Sequence, residues 1–102
     1  MKKTTYKILT KEGPKERAGY VIKIDGVSLS FGVTKQGEFG SQDGYNITEL
    51  STGLLFGSRT GSTIKECAEL IKKIISDIGM ENVMKAISYS LRERKGQPLN
   101  NF

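Results

Sequence analysis

Apolar and polar residues alternate through the first half of the chain, a pattern typical of β-strands with one buried face. The clearest case is the segment YVIKIDGVSLSFGV, residues 20–33. Asp25-Gly26 at its centre supplies the left-handed conformation that a two-residue hairpin turn needs, so we expect a tight hairpin here. The expected register pairs Ile24 with Val27, Ile22 with Leu29 and Tyr20 with Phe31.

Two further regions of the first half have strand character. TYKIL, residues 5–9, is short and alternating, and its flanking lysines suit an edge strand. YNITEL and LLFGS, at 45–50 and 54–58, are expected to form a second hairpin around Ser51-Thr52-Gly53. We interpret two turn-rich segments as connecting loops: EGPKERAG at 12–19 and KQGEFGSQDG at 35–44.

The second half changes to helical periodicity. Apolar residues recur there at spacings of three and four: Ile64, Cys67, Ala68, Ile71, Ile74, Ile75 and Ile78. Thr63 and Glu66 match a capping box, and Gly79 suits a C-terminal cap, so a helix is expected over about 63–78. A second helix over about 81–95 carries Val83, Met84, Ile87 and Leu91 on its apolar face. Gly96 and Pro98 then stop the helix, and residues 96–102 are expected to form a loose tail.

These elements predict one α+β domain spanning residues 1–102. Its N-terminal antiparallel sheet would have four to five strands over about 5–58. Two C-terminal helices would pack on the apolar face of that sheet. No apolar run reaches the ~20 residues of a membrane span, and the N-terminus lacks the apolar segment of a signal peptide.

Composition excludes several kinds of chemistry. The chain contains no histidine and a single cysteine, Cys67, so zinc sites built from His and Cys and catalysis based on histidine are ruled out. The acidic residues Asp25, Asp43 and Asp77 fall in turns or at a helix end, and none forms a pair on one element. We therefore predict no catalytic residues, no metal, no cofactor and no enzymatic activity. The net charge of +5 favours an anionic partner.

The segment GSRTGSTIKE, residues 57–66, is the first candidate binding site. Helix N-termini present unpaired N–H groups that attract anions. Arg59 offers a bidentate fork for phosphate, and the segment adds hydroxyls and a flexible backbone. The candidate ligand residues are Arg59, Thr60, Gly61, Ser62 and Thr63. The alternative is that Ser62 or Thr63 only caps the helix and Arg59 is solvated.

A second candidate lies on the second predicted helix. Tyr89 could stack on a base while Arg92 and Arg94 hold phosphate, and Lys85 and Ser88 share the polar strip. The alternative is a solvated helix end whose cations complement the helix dipole. Phe39, in the 35–44 loop, could clamp a ligand or pack within an oligomer interface, or it could serve only loop packing.

The chain resembles the small phage-encoded sponge proteins of the Thoeris anti-defence type. The segments SRTGST, residues 58–63, and ISYSLRER, residues 87–94, carry the resemblance, together with chain size and element order. Such proteins sequester cyclic ADP-ribose isomers or cyclic oligonucleotides without cleaving them, and they assemble into oligomers. The resemblance implies arginines and an aromatic residue around a nucleotide-like ligand, often at subunit contacts.

The resulting expectation is a basic, non-enzymatic, homo-oligomeric protein of the host-cell cytoplasm that sequesters a phosphate-bearing cyclic nucleotide signal. One alternative is a nucleic-acid-binding module that uses the polar face of the sheet. That face offers Val21, Lys23, Ser28, Ser30 and Thr34, and it lacks the arginines that read guanine. The other alternative is an inhibitor that binds a host protein through an exposed sheet edge.

Overall fold

A computed structural model of the protein describes residues 3–35, 44–56 and 63–101. Five strands precede two helices in these segments: β1 (Thr4–Thr10), β2 (Gly13–Lys23), β3 (Ser30–Lys35), β4 (Tyr45–Glu49), β5 (Leu54–Leu55), α1 (Ile64–Ile78) and α2 (Met80–Arg92). The strands form one antiparallel sheet in the order β1-β2-β3-β4-β5. The predicted α+β arrangement, with an N-terminal sheet and two C-terminal helices, is confirmed.

Strand β2 begins much earlier than the sequence indicated. Residues 12–19 were expected to be a loop, but residues 13–19 pair with the whole of β1. The hydroxyl of Thr10 closes the turn between the two strands, because it donates to the carbonyl of Gly13 at 2.7 Å and accepts from the N–H of Glu12 at 3.2 Å. Pro14 is tolerated here because β3 pairs only with residues 20–23 of β2.

The hairpin between β2 and β3 forms where it was predicted, but its register is different. The turn at residues 24–27 is closed by a 3.0 Å backbone hydrogen bond between its last and first residues. The chain then continues for two more residues before it pairs, so Ile22 lies opposite Phe31 rather than Leu29. Because the shift is an even number of residues, every side chain keeps its predicted face.

One face of the sheet packs against the helices. Phe31, Val33 and Ile47 are almost completely buried there, and the Phe31 and Phe56 rings meet edge to face at 4.8 Å. Helix α1 contributes Cys67 and Ile71 to this core, whereas α2 buries only Val83 among its described residues. Cys67 is therefore a buried apolar side chain, as its helical spacing predicted.

The opposite face of β3 is also covered. Tyr6 of β1 is only 2% exposed, and its ring lies over Gly32, whose missing side chain would point towards it. The Tyr6 hydroxyl hydrogen-bonds to the hydroxyl of Thr34. Thr48, which pairs with Gly32 across the strands, is buried as well. Although β1 and β2 belong to the same sheet, their hairpin therefore folds over the face of β3 that was expected to be polar and open.

The helix ends follow local chemistry. Helix α1 starts after Thr63 and ends at Gly79, whose N–H donates to the carbonyl of Ile75 at 2.8 Å. Helix α2 ends at Arg92 rather than near residue 95. The chain leaves the helix through Lys95 and Gly96, both with positive φ, and the N–H of Gly96 donates to Leu91.

The C-terminal tail, expected to be loose over residues 96–102, is attached at Leu99 and Asn100. The N–H of Leu99 donates to the carbonyl of Ser51 at 2.7 Å. The Asn100 side chain accepts from the N–H of Lys7 and donates to the carbonyls of Lys7 and Leu50, each at 2.8 Å. The tail therefore attaches to the outer edge of β1 and to the β4–β5 turn.

Neither helix is long and apolar enough to cross a membrane, in the parts of the chain that the structure describes.

Candidate functional site

Helix α2 presents a strip of side chains to solvent, which we call the α2 strip. Because each member has another member three or four residues away along the helix, they share one face. They line a single open depression of about 370 Å³, close to the lower end of the volumes typical of small-molecule sites, about 300–1,000 Å³. The six members of the α2 strip are Glu81, Met84, Lys85, Ser88, Tyr89 and Arg92.

The α2 strip combines an aromatic ring with positive charge. Tyr89 is 69% exposed, so most of its apolar ring is in contact with water, and Arg92 is also exposed. Met84 is partly buried against the core and adds an apolar side chain to the lining of the depression. Lys85 lies 3.4 Å from the carboxylate of Glu81 in a solvent-exposed ion pair. Such pairs are weak, so the ammonium group can exchange this partner for a ligand anion.

This arrangement suits a flat, anionic molecule. The Tyr89 ring offers a face on which a base can stack, as aromatic side chains do in nucleic-acid recognition. Arg92 can hold a phosphate through two parallel hydrogen bonds, and Ser88 adds a hydroxyl donor. All six lining residues come from one helix, so the described part of the chain contacts such a molecule from one side only.

The structure brings together some of the predicted ligand residues and separates others. Tyr89 and Arg92 line the same depression, with Lys85 and Ser88 beside them as the polar strip predicted. Arg94 does not line it, because α2 ends two residues earlier and the chain turns away. The Nε of Arg94 is buried and has no hydrogen-bond partner within the described residues.

The first candidate site is described only at its last residue. Thr63 has extended backbone geometry, and its hydroxyl accepts the N–H of Glu66 at 3.1 Å. That hydroxyl is therefore engaged as the helix cap, as the capping-box pattern predicted. Arg59, Thr60, Gly61 and Ser62 lie outside the described residues, and so does Phe39.

Two members of the α2 strip were not predicted as ligand residues. Glu81 was not considered, and Met84 was assigned only to the core, although it also lines the depression. The spacing of 81, 85, 88 and 92 would have placed Glu81 on the same face. Met84 could not be assigned both roles from its spacing, because it lies at the border between the apolar and polar faces.

The polar sheet face predicted for nucleic-acid binding is partly covered. Tyr6 lies over Gly32 and hydrogen-bonds to Thr34, while Ser30 is buried. Of the five residues assigned to this face, Lys23 and Ser28 are exposed, Val21 and Thr34 are partly buried, and Ser30 is buried. Tyr6 therefore occupies the middle of the surface that was predicted to meet nucleic acid.

Among the acidic residues of the described segments, Glu49 has a structural role. Glu49 is buried, and its carboxylate accepts hydrogen bonds of 2.7–3.0 Å from Ser51 and from the N–H of Thr52. This carboxylate holds the β4–β5 turn, which was predicted at residues 51–53. Among the described residues, no group of three or more His, Cys, Asp or Glu side chains could hold a metal ion.

No protein-family model, no curated protein and no solved structure matches the chain.

Proposed function

We propose that the protein is a non-catalytic binding protein that captures a phosphate-bearing small molecule of the cyclic-nucleotide type on the α2 strip. The observation that supports this most directly is the exposure of Tyr89 in the same depression as Arg92. A 69% exposed aromatic ring next to cations is costly to hydrate and favourable to cover with a base.

Charge favours the same ligand class. The chain carries a net charge of +5, so a diffusing anion is attracted before it contacts the α2 strip. The phosphate groups would contact Arg92 and Lys85, and the base would stack on Tyr89. Arg59 and the segment ending at Thr63 remain proposed as a second phosphate contact.

The biological role that follows is sequestration. As the resemblance to Thoeris anti-defence sponges implies, we propose a phage-encoded, homo-oligomeric protein that holds a cyclic nucleotide or cyclic ADP-ribose-type immune signal in the host cytoplasm. A sponge needs affinity and abundance, and it needs no chemistry at the bound molecule. The ligand would therefore leave the protein unchanged.

Native mass spectrometry tests this proposal directly. The purified protein is measured alone and with a panel of cyclic nucleotides and ADP-ribose isomers. We expect stoichiometric ligand mass, lost or weakened about 5- to 150-fold in Tyr89→Ala and in Arg92→Ala, because each removes a contact worth roughly 1–3 kcal/mol. Denaturation should release the ligand with its mass unchanged.

Lys72→Ala is the matched control, because Lys72 is an exposed lysine on α1 in a similar ion pair, with Glu69. This variant should bind like the wild type. An Arg59→Ala variant shows whether the 57–66 segment contributes. If no member of the panel binds, or if Tyr89→Ala and Arg92→Ala bind as tightly as the wild type, the proposal is wrong.

A second candidate function is supported by the edge of the sheet. Strand β5 has only two residues, Leu54 and Leu55, and Leu55 is 69% exposed. An exposed apolar edge can accept an extended segment of another protein. Recovery of one stoichiometric host protein with the purified chain, in place of a small molecule, would favour this inhibitor function.

A further inference from the structure

The α2 strip carries opposite charges at its two ends. Glu81 lies in the first turn of α2 and Arg92 in the last turn. Eleven residues separate them, which is about 16 Å along the helix axis. Because an α-helix turns about 100° per residue, the two side chains lie within about 20° of each other when viewed down the axis. They therefore mark the two ends of one line along the exposed face.

This arrangement is self-complementary under a twofold rotation. If a second copy of α2 packs antiparallel, with the axis between Ala86 and Ile87, each Glu81 faces the Arg92 of the other copy. Isologous interfaces of homodimers require this kind of reciprocal contact. The two charge pairs would close both ends of the interface.

The other members of the α2 strip fit the same symmetry. Lys85 and Tyr89 lie on one side of the line from Glu81 to Arg92, and Met84 and Ser88 lie on the other side. In an antiparallel pair, equivalent sides of the two helices meet. Tyr89 then lies beside the Lys85 of the second copy, where the ammonium group can contact the ring.

We infer that the α2 strip is the interface of a twofold symmetric homodimer with antiparallel α2 helices. The occupant is a second copy of this chain, because the charge pattern is complementary to itself. The inference rests on the proposed function in taking the protein to be a homo-oligomer, and it assigns the surface that mediates assembly. Because a ligand that uses Tyr89 and Arg92 competes with the second copy for these side chains, the dimer is the form without ligand and capture separates the two copies.

The interface is small, so the dimer should be weak. Three turns of helix bury less than the roughly 1,200 Å² of a standard specific interface. We expect a concentration-dependent monomer–dimer equilibrium rather than a permanent dimer. Sedimentation velocity over a wide range of protein concentration measures its dissociation constant without any ligand, so the result is independent of the capture experiment.

Charge reversal tests the geometry. In Glu81→Arg, two arginines meet at each end of the interface, and in Arg92→Glu two glutamates meet. Each single variant should raise the dimer dissociation constant at least about tenfold, since two attractive pairs become repulsive. The double variant restores an arginine opposite a glutamate at both ends and should recover dimerisation.

Mixing the two single variants gives a second, independent measurement. The Glu81→Arg copy carries two arginines in the α2 strip and the Arg92→Glu copy carries two glutamates, so the mixture should form a heterodimer. Glu69→Arg is the control for charge reversal, because Glu69 is an exposed helical glutamate paired with a lysine on α1. It should dimerise like the wild type.

Three outcomes would overturn the inference. The wild type could remain monomeric at the highest concentrations, the single charge reversals could leave the dissociation constant unchanged, or the mixture could fail to associate. Circular dichroism of each variant shows whether α2 still forms. If native mass spectrometry detects no ligand, the sedimentation result for the dimer still stands. If the protein does not dimerise, the result for ligand capture still stands.

Discussion

At the scale of single residues, a missing side chain determines how the two faces of the sheet are covered. Gly32 alternates with Phe31 and Val33, which face the helices. On the opposite face, the Tyr6 ring occupies the space above Gly32. The β1–β2 hairpin can therefore approach the sheet closely enough to bury Tyr6, and any side chain at position 32 would prevent it.

Gly32→Ala is expected to destabilise the protein by about 2 kcal/mol. The new Cβ would lie 2.5 Å from Cζ of Tyr6 and 2.8 Å from each Cε atom, so the ring must move, and overpacking of this kind is costly. Denaturant unfolding measures the change. In a Tyr6→Ala background the same substitution should cost much less, and equal costs in the two backgrounds would contradict this account.

Tyr6→Phe should change how stability depends on pH. Burial raises the pKa of the Tyr6 hydroxyl above its ordinary value of 10.0, and the hydrogen bond to Thr34 opposes the shift. The unfolded chain therefore loses this proton first. The stabilisation is complete below about pH 10 and is lost as pH rises from there through the folded-state pKa.

Comparing urea unfolding of the wild type and Tyr6→Phe from pH 8 to pH 11 measures this effect. At neutral pH the variant should be less stable by about 1 kcal/mol, because the Thr34 hydroxyl loses its partner. The difference between the two proteins should shrink above pH 10. A difference that stays constant with pH would show that Tyr6 titrates alike in both states.

At the scale of elements, the C-terminal segment protects the edge of the sheet. Asn100 binds both backbone groups of Lys7, so its side-chain amide completes β1 as a neighbouring strand would. Its amide also reaches Leu50, which links β1 to the β4–β5 turn. An edge strand with paired backbone groups is a poor template for aggregation.

Asn100→Ala should therefore lower the free energy of unfolding by about 1–2 kcal/mol, because three hydrogen bonds are lost at a partly buried site. Asn101→Ala is the matched control: Asn101 is exposed, and its substitution should change stability by less than about 0.5 kcal/mol. Hydrogen exchange at the Lys7 amide should accelerate only in the Asn100 variant. Similar effects of the two variants would contradict the proposed edge contact.

At the scale of the whole molecule, a chain of 102 residues covers its sheet with thin layers. Helix α2 buries Val83 among its described residues and leaves Tyr89 exposed. Because α2 buries so few side chains, a partner that covers its exposed face stabilises it. Ligand capture and dimerisation, both proposed for the α2 strip, would therefore also stabilise the fold.

Much of the architecture could be predicted from local patterns. The periodicity of residues 64–78 and the cap at Thr63 predicted α1, and the β4–β5 turn formed at residues 51–53 as expected. The polar strip with Lys85, Ser88, Tyr89 and Arg92 could be predicted because it depends only on helical spacing. Glu81 belongs to the same spacing and was recoverable in the same way.

Local patterns specify which residues alternate, where helices start and which side chains share a helix face, because these depend on neighbours within a few positions. The other features depend on contacts between distant segments. Residues 13–19 became a strand because β1 supplies hydrogen-bond partners, and the tail was fixed because Asn100 meets Lys7, 93 residues away. Tyr6 reached Gly32 in the same way. Contacts between distant parts of the chain depend on how whole layers pack, so they cannot be predicted from local sequence patterns.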